Sequence, residues 1–225
     1  MQTDPMWMRD FLMVHIAAGG LCLVLAPLAL SVRKGSRVHR RLGRIYFWSM
    51  GVVAGTALPM ALFRPVLFLA LIAVLSFYLT FSGYRVLRLK DLARGGAATA
   101  ADWAAALVTF AACACLASFA LWRPSWVQNM GLVAIVLGAA GMRATAADLY
   151  RFVVKPKDPM FWLYVHLEKF IGSYIAVWTA FSVTALSHVL PQAGIVLWLA
   201  PLSIGVPAII ATVVYYKRRG RPAMA

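Results

Sequence analysis

Four histidines, His15, His39, His166 and His188, are the side chains of this chain best able to hold a metal or move a proton near neutral pH. His15 and His188 fall toward one end of long apolar runs, while His39 and His166 fall beside basic stretches at the other. A neutral imidazole from each of two helices can ligate haem iron axially, so one pair at each end suits two stacked b-type haems that carry electrons across a bilayer. Arg40 and Arg44, beside His39, suit the haem propionates. Quinone is the expected redox partner of such a centre.

Two other chemistries compete for the same residues. Asp148 and His166 could titrate in a proton-coupled transporter of small solutes, because ionisable groups inside a membrane are costly and mark function by default. Pro27, Pro59, Pro201 and Pro207 interrupt apolar runs, as in the broken helices that line solute sites, although prolines are also ordinary in membrane helices. A membrane-embedded metal hydrolase would need three converging ligands and a carboxylate base. Asp148 and Glu168 are the only acids near a histidine, and no H-x-x-x-H pair occurs. Each polar residue also has a plainer reading. His15 could bond a carbonyl on a neighbouring helix, and Asp148 could pair with Arg143 or Arg151. Glu168 and Lys169 could reach lipid headgroups, His188 could be solvated, and His39 could belong to the basic loop.

Three cysteines, Cys22, Cys113 and Cys115, lie within apolar segments without a C-x-x-C pattern, which points to packing rather than a disulfide or zinc site. No G-x-S-x-G, phosphate-binding loop or deep lysine in the last apolar run is present.

The elements that must position these residues are set by composition. The chain of 225 residues is 63% hydrophobic and only 13% charged, with a mean hydropathy of +0.80. A soluble domain carries about 25% charged residues, so lipid is the solvent that fits. Apolar runs predict an all-α integral membrane protein, one domain over residues 1–225. Its seven transmembrane helices are predicted at about 10–32, 42–63, 66–86, 103–122, 126–146, 161–187 and 195–216. The N-terminus, with no basic leader before the first run, reads as a retained first helix rather than a signal peptide. Ser36 is the expected N-cap of the second helix, which puts His39 in its first turn.

The connecting segments alternate in charge. "RKGSRVHRRLGR", "RVLRLKDLARGG", "RFVVKPKD" and "KRRGR" hold 17 of the 22 Lys and Arg. Basic loops stay in the cytoplasm, so the N-terminus is expected outside and the C-terminus inside a bacterial cytoplasmic (inner) membrane. The excess of +15 then faces anionic headgroups and asks for no nucleic acid. Trp7, Trp48, Trp103, Trp122, Trp126 and Trp162 lie near predicted span ends, the level that indole prefers.

Helix-spaced stripes of small residues predict the faces turned to protein. One runs His15, Gly19, Cys22, Ala26, Ala29, and another Gly131, Ala134, Gly138, Gly141, Thr145, Asp148. The sixth helix shows Gly172, Ala176, Ala180, Thr184 and, on a neighbouring face, His166, Ser173, Ala180, Ser187. A weak repeat, "ALFRP" with "ALWRP" and "SGYR" with "AGMR", suggests duplicated hairpins and puts Arg143 at the inner boundary like Arg85.

Two stretches carry a family likeness. "HIAAGG" followed by "KGSRVHRRLGRIYFWSM", together with "HLEKFIGSYIAVWTAF" and "AADLYRF", resembles the bacterial predicted membrane proteins of domain-of-unknown-function family 2306. The likeness spans most of the chain and implies site residues at His15, His39, Arg40, Gly43, Arg44, Asp148, His166, Ser173 and Tyr174. Lys169 and Phe170 stand where the family reads a basic residue and Met, and His188 has no counterpart. A fainter similarity to two-haem b-type membrane cytochromes implies haem b as cofactor.

Overall fold

The structure is a computed structural model that describes residues 5–63, 67–122 and 130–219. The described residues hold seven helices long and apolar enough to cross a membrane and no strand. They are α1 (Met6–Ser31), α2 (Arg37–Phe63), α3 (Leu67–Arg85), α4 (Ala100–Trp122), α5 (Gly131–Val153), α6 (Phe161–Ala185) and α7 (Gly194–Arg219). Length and apolar content alone select this form, since a helix satisfies every backbone polar group within its own segment.

Several ends differ from those predicted, for local reasons. The second helix begins at Arg37 rather than near 42, because the Ser36 hydroxyl accepts the His39 N–H at 3.1 Å and caps the basic turn. The fifth runs on to Val153 rather than 146. Its polar tail is held inward by Asp148, which is 3% exposed. Pro27, Pro59, Pro201 and Pro207 lie inside unbroken helices. They do not break α1, α2 or α7 as a solute site would require. Trp48 is not at a helix end but about three turns into α2. Arg143 likewise lies inside α5, whereas Arg85 is the last residue of α3. Trp126 and the Arg64–Pro65 and Arg123–Pro124 halves of the repeat lie outside the described residues.

Sequential hairpins α1–α2, α4–α5 and α6–α7 pack most closely, and α3 sits at the middle against α2, α4, α5 and α6. Small residues set the tightest approach. A Cβ at Gly138 would stand 2.8 Å from the Cys113 carbonyl oxygen, and one at Gly141 would stand 2.3 Å from the Cys113 sulfur. The predicted stripe of α5 is therefore the face pressed on α4, and its Ala134 and Thr145 are fully buried. On α6 the stripe differs from expectation. Ala180 and Thr184 are exposed, and the buried face carries Lys169, Ser173, Thr179 and Ser182.

Cross-helix contacts bring the basic segments to one end of the bundle. The His39 ring, at the start of α2, bonds the Ala29 carbonyl near the end of α1 and meets His166 near the start of α6. Arg85, at the end of α3, pairs with Asp102 at the start of α4. Asp148, near the end of α5, pairs with Lys169 of α6, and Lys217 of α7 lies 5.2 Å above the Tyr164 ring.

Candidate functional site

At this basic end α6 presents two polar sides. On the side toward α2, the His39 and His166 rings stand 6.4 Å apart between centroids, inclined at 70°. The His39 Nδ1–H donates to the Ala29 carbonyl at 3.0 Å, and the His166 Nδ1–H donates to the Gly83 carbonyl at 2.9 Å. A donor fixed at Nδ1 leaves the lone pair of a neutral imidazole at Nε2, which is how protein scaffolds orient ligating histidines.

Each anchor has its own local cause. The α1–α2 turn folds back through Gly35, whose φ of 76° suits glycine, and the Arg40 guanidinium donates to the Gly35 carbonyl at 2.7 Å. Lys34 turns its ammonium onto the Ala29 and Leu30 carbonyls, covering acceptors that the end of α1 leaves free. Burial there lowers the Lys34 pKa from its ordinary value. On α3, Gly83 permits the approach to α6, since a Cβ at this position would lie 2.8 Å from the Phe170 ring and 2.9 Å from the Lys169 Cβ.

One turn deeper, the Phe170 ring lies 4.7 Å from that of His166 and 5.8 Å from that of Tyr46. Beyond it the Tyr46 hydroxyl donates to Ser173 Oγ at 2.9 Å, while Ser173 donates to the Phe170 carbonyl at 2.9 Å. The pairs His39–His166 and Tyr46–Ser173 thus repeat every seven residues on both helices, a ladder between α2 and α6. Tyr174, on the next face, donates to the Leu23 carbonyl of α1 at 3.3 Å.

On the other side of α6, Lys169 is 1% exposed. The expectation that it reaches headgroups is corrected: its ammonium donates to Asp148 Oδ2 at 2.6 Å and to the Ala144 carbonyl at 2.9 Å. The same carboxylate oxygen accepts Tyr78 at 2.5 Å and Ser82 at 2.8 Å, and Oδ1 accepts Arg151 at 2.7 Å. The aspartate is therefore met by four donors, two of which are cations. Beside it Arg85 grips Asp102 in a two-pronged pair at 2.7 and 2.8 Å, and Thr99 adds its N–H and hydroxyl to that carboxylate at 2.9 and 2.7 Å. A cavity of ≈ 20 Å³ lies between the two clusters, bounded by Tyr78, Ser82, Arg85, Asp102, Asp148 and Arg151. That is room for about one water.

The remaining expected site residues fall elsewhere. The His15 Nδ1–H is shared between the Val53 carbonyl and the Thr56 hydroxyl, each at 3.0 Å, so this ring is tied to α2. His188 is exposed on a short 3₁₀ turn after α6. Among the described residues no ring contact joins these two, so the outer histidines are not paired as the inner ones are. Glu168 pairs with Arg143 at 2.7 Å. Arg44 lies exposed on α2, and a Cβ at Gly43 would meet nothing within 4 Å. Among the described residues no three His, Cys, Asp or Glu side chains are grouped to hold a metal ion.

Sequence reading missed Tyr46, Tyr78, Ser82, Gly83, Arg85 and Asp102. A signal existed for some: Tyr78, Ser82 and Arg85 are spaced by four and three on an otherwise apolar helix, which makes one polar stripe. Compared with known proteins, the chain matches no family model, no curated protein and no solved structure.

Proposed function

We propose that this chain is a protein of the bacterial cytoplasmic membrane, N-terminus outside, that binds one haem b through His39 and His166 and exchanges electrons at its basic face. Quinone is the proposed partner there. Kinship with domain-of-unknown-function family 2306, on the motifs around His39 and His166, belongs to the same proposal.

The observation that carries it is the inner histidine pair: two imidazoles from different helices, each anchored through Nδ1, with ring centroids 6.4 Å apart. Two neutral imidazoles held in this way would suit a haem iron, and Arg40, the residue after His39, adds positive charge beside them. The Phe170 ring packs against His166 on the deeper side. When bound, haem supplies one-electron chemistry at a potential set by its ligands and surroundings. The residues of the chain orient the two imidazoles, hold their tautomers, and gather positive charge at this end.

We propose a single centre in place of the two expected from four histidines, because among the described residues only the inner pair brings its rings together, while His188 is exposed. Transport through a titrating Asp148 has less support, since its carboxylate already accepts four donors, Lys169 and Arg151 among them. A three-ligand hydrolytic metal site finds no donor group among the described residues.

The test is the absorbance of protein purified after expression with added haem precursor, oxidised and then reduced with dithionite. A Soret band that sharpens on reduction is expected for wild type, His15→Ala and His188→Ala, and is lost in His39→Ala and His166→Ala. A colourless wild type overturns the proposal.

A further inference from the structure

Outside the α1–α2 contact a groove of ≈ 740 Å³ opens on the surface, away from both polar sides of α6. Its walls are Val14, Ala17 and Leu21 of α1 and Arg44, Trp48 and Val52 of α2, and Arg41 joins Arg44 at its basic end. On α2 these residues recur at three- and four-residue steps and so form one face.

The arginines of this region are not equivalent. Arg40 is bonded to the Gly35 carbonyl, as Lys34 is to the end of α1. Arg41 and Arg44 are exposed and, among the described residues, donate to no protein acceptor, and no carboxylate is among the residues that line the groove. A cationic end thus opens into an apolar trough. From Arg41 to Val52 the trough covers about 16 Å of helix, close to the roughly 15 Å of hydrocarbon in one leaflet. A transmembrane helix of a partner would need apolar contact over both leaflets and gives no reason for two free guanidiniums at one end. An amphiphile with an anionic head and a chain of one leaflet's length matches both features.

We propose that this groove is a binding site for one anionic phospholipid, its phosphate held by Arg41 and Arg44 and an acyl chain laid along Ala17, Leu21, Trp48 and Val52. Arginine suits the role because its planar donors meet two phosphate oxygens at once. The alanine at position 17 leaves the width that a chain requires, and the exposed Trp48 ring forms the outer wall.

Native mass spectrometry of the full chain in neutral detergent, incubated with phosphatidylglycerol or phosphatidylcholine, reads the number of lipids retained. One phosphatidylglycerol per chain is expected, with phosphatidylcholine retained far more weakly. The double variant Arg41→Gln, Arg44→Gln is expected to weaken retention roughly thirtyfold, as two lost surface cations imply. Arg88→Gln with Arg94→Gln, exposed in another basic segment, leaves it unchanged. Ala17→Trp, which fills the trough and keeps both arginines, also abolishes retention and serves if the double variant does not fold. Equal retention of the two lipids, equal loss in the Arg88/Arg94 control, or full retention by Ala17→Trp overturns the proposal. So does a groove closed by a second copy of the chain, seen as a dimer that excludes lipid.

Discussion

On one side of α6, Lys169, Asp148, Tyr78, Ser82 and Arg151 use up one another's hydrogen-bonding capacity. On the other, His39 and His166 spend one nitrogen each on a backbone carbonyl and bring their rings to 6.4 Å, so that Nε2 of each is the acceptor that remains. Both clusters are polar and both lean on α6 and α3, yet they are built for different ends. A saturated network fixes the position of α3, α5 and α6 and has nothing left to offer a ligand. A pair that keeps an acceptor on each ring still has a lone pair to offer a ligand. The contrast shows that a buried charge inside a membrane bundle is no guide to the working site until its partners are counted.

The largest effect is expected on the saturated side. Asp148→Ala leaves the Lys169 ammonium enclosed without its counter-charge and should cost about 3–5 kcal/mol. Reversible unfolding in mixed micelles measures this. The double variant Asp148→Leu, Lys169→Met removes both charges and should recover most of the loss; failure to recover would mean that the pair does more than hold helices.

Gly83→Val comes next. The added carbons meet the Phe170 ring and the Lys169 Cβ, and overpacking of this kind costs about 1–3 kcal/mol. The same substitution moves the carbonyl that anchors His166, so it should also disturb the histidine pair. It is the one change that joins the two sides, and an effect on stability with an intact haem spectrum would separate them.

Tyr46→Phe removes the hydroxyl that donates to Ser173. Ser173 keeps its bond to the Phe170 carbonyl, so the loss should be about 1 kcal/mol in the same unfolding assay. The smallest change in stability is expected for His39→Ala, within about 1 kcal/mol, because the half-buried ring gives up a single hydrogen bond. If His39→Ala destabilises as much as Asp148→Ala, both sides are structural and the comparison collapses.

The helices were legible because apolar runs of this length have no other use, and the basic end because 17 of 22 cations fall in four segments. The Ser36 cap and the inward stripe of α5 were legible too, since capping and helical spacing are local. Lys169 was not. A lysine in the first turns of an apolar stretch reads as a headgroup contact, and only the approach of α5 supplies the carboxylate that buries it. Gly83 was equally silent, since its lack of a side chain matters only where Phe170 and Lys169 press against α3. The inner histidines could be placed at one depth by the capped first turn of α2, but their meeting depends on the azimuth of two helices that sequence periodicity does not fix.

The staple at the α1–α2 turn has a bearing on biogenesis. Lys34, Gly35, Ser36 and Ala29 complete the seating of His39 from residues of the first hairpin alone. The rung that faces it arrives much later: Tyr46 and Ser173 are 127 positions apart. A ribosome feeding the membrane therefore delivers one finished half of the centre early, held open until the sixth helix inserts. The final packing of α6 then closes the bundle and pairs the two histidines in a single event, so a chain truncated before that helix would have a correctly built half-site and nothing to complete it.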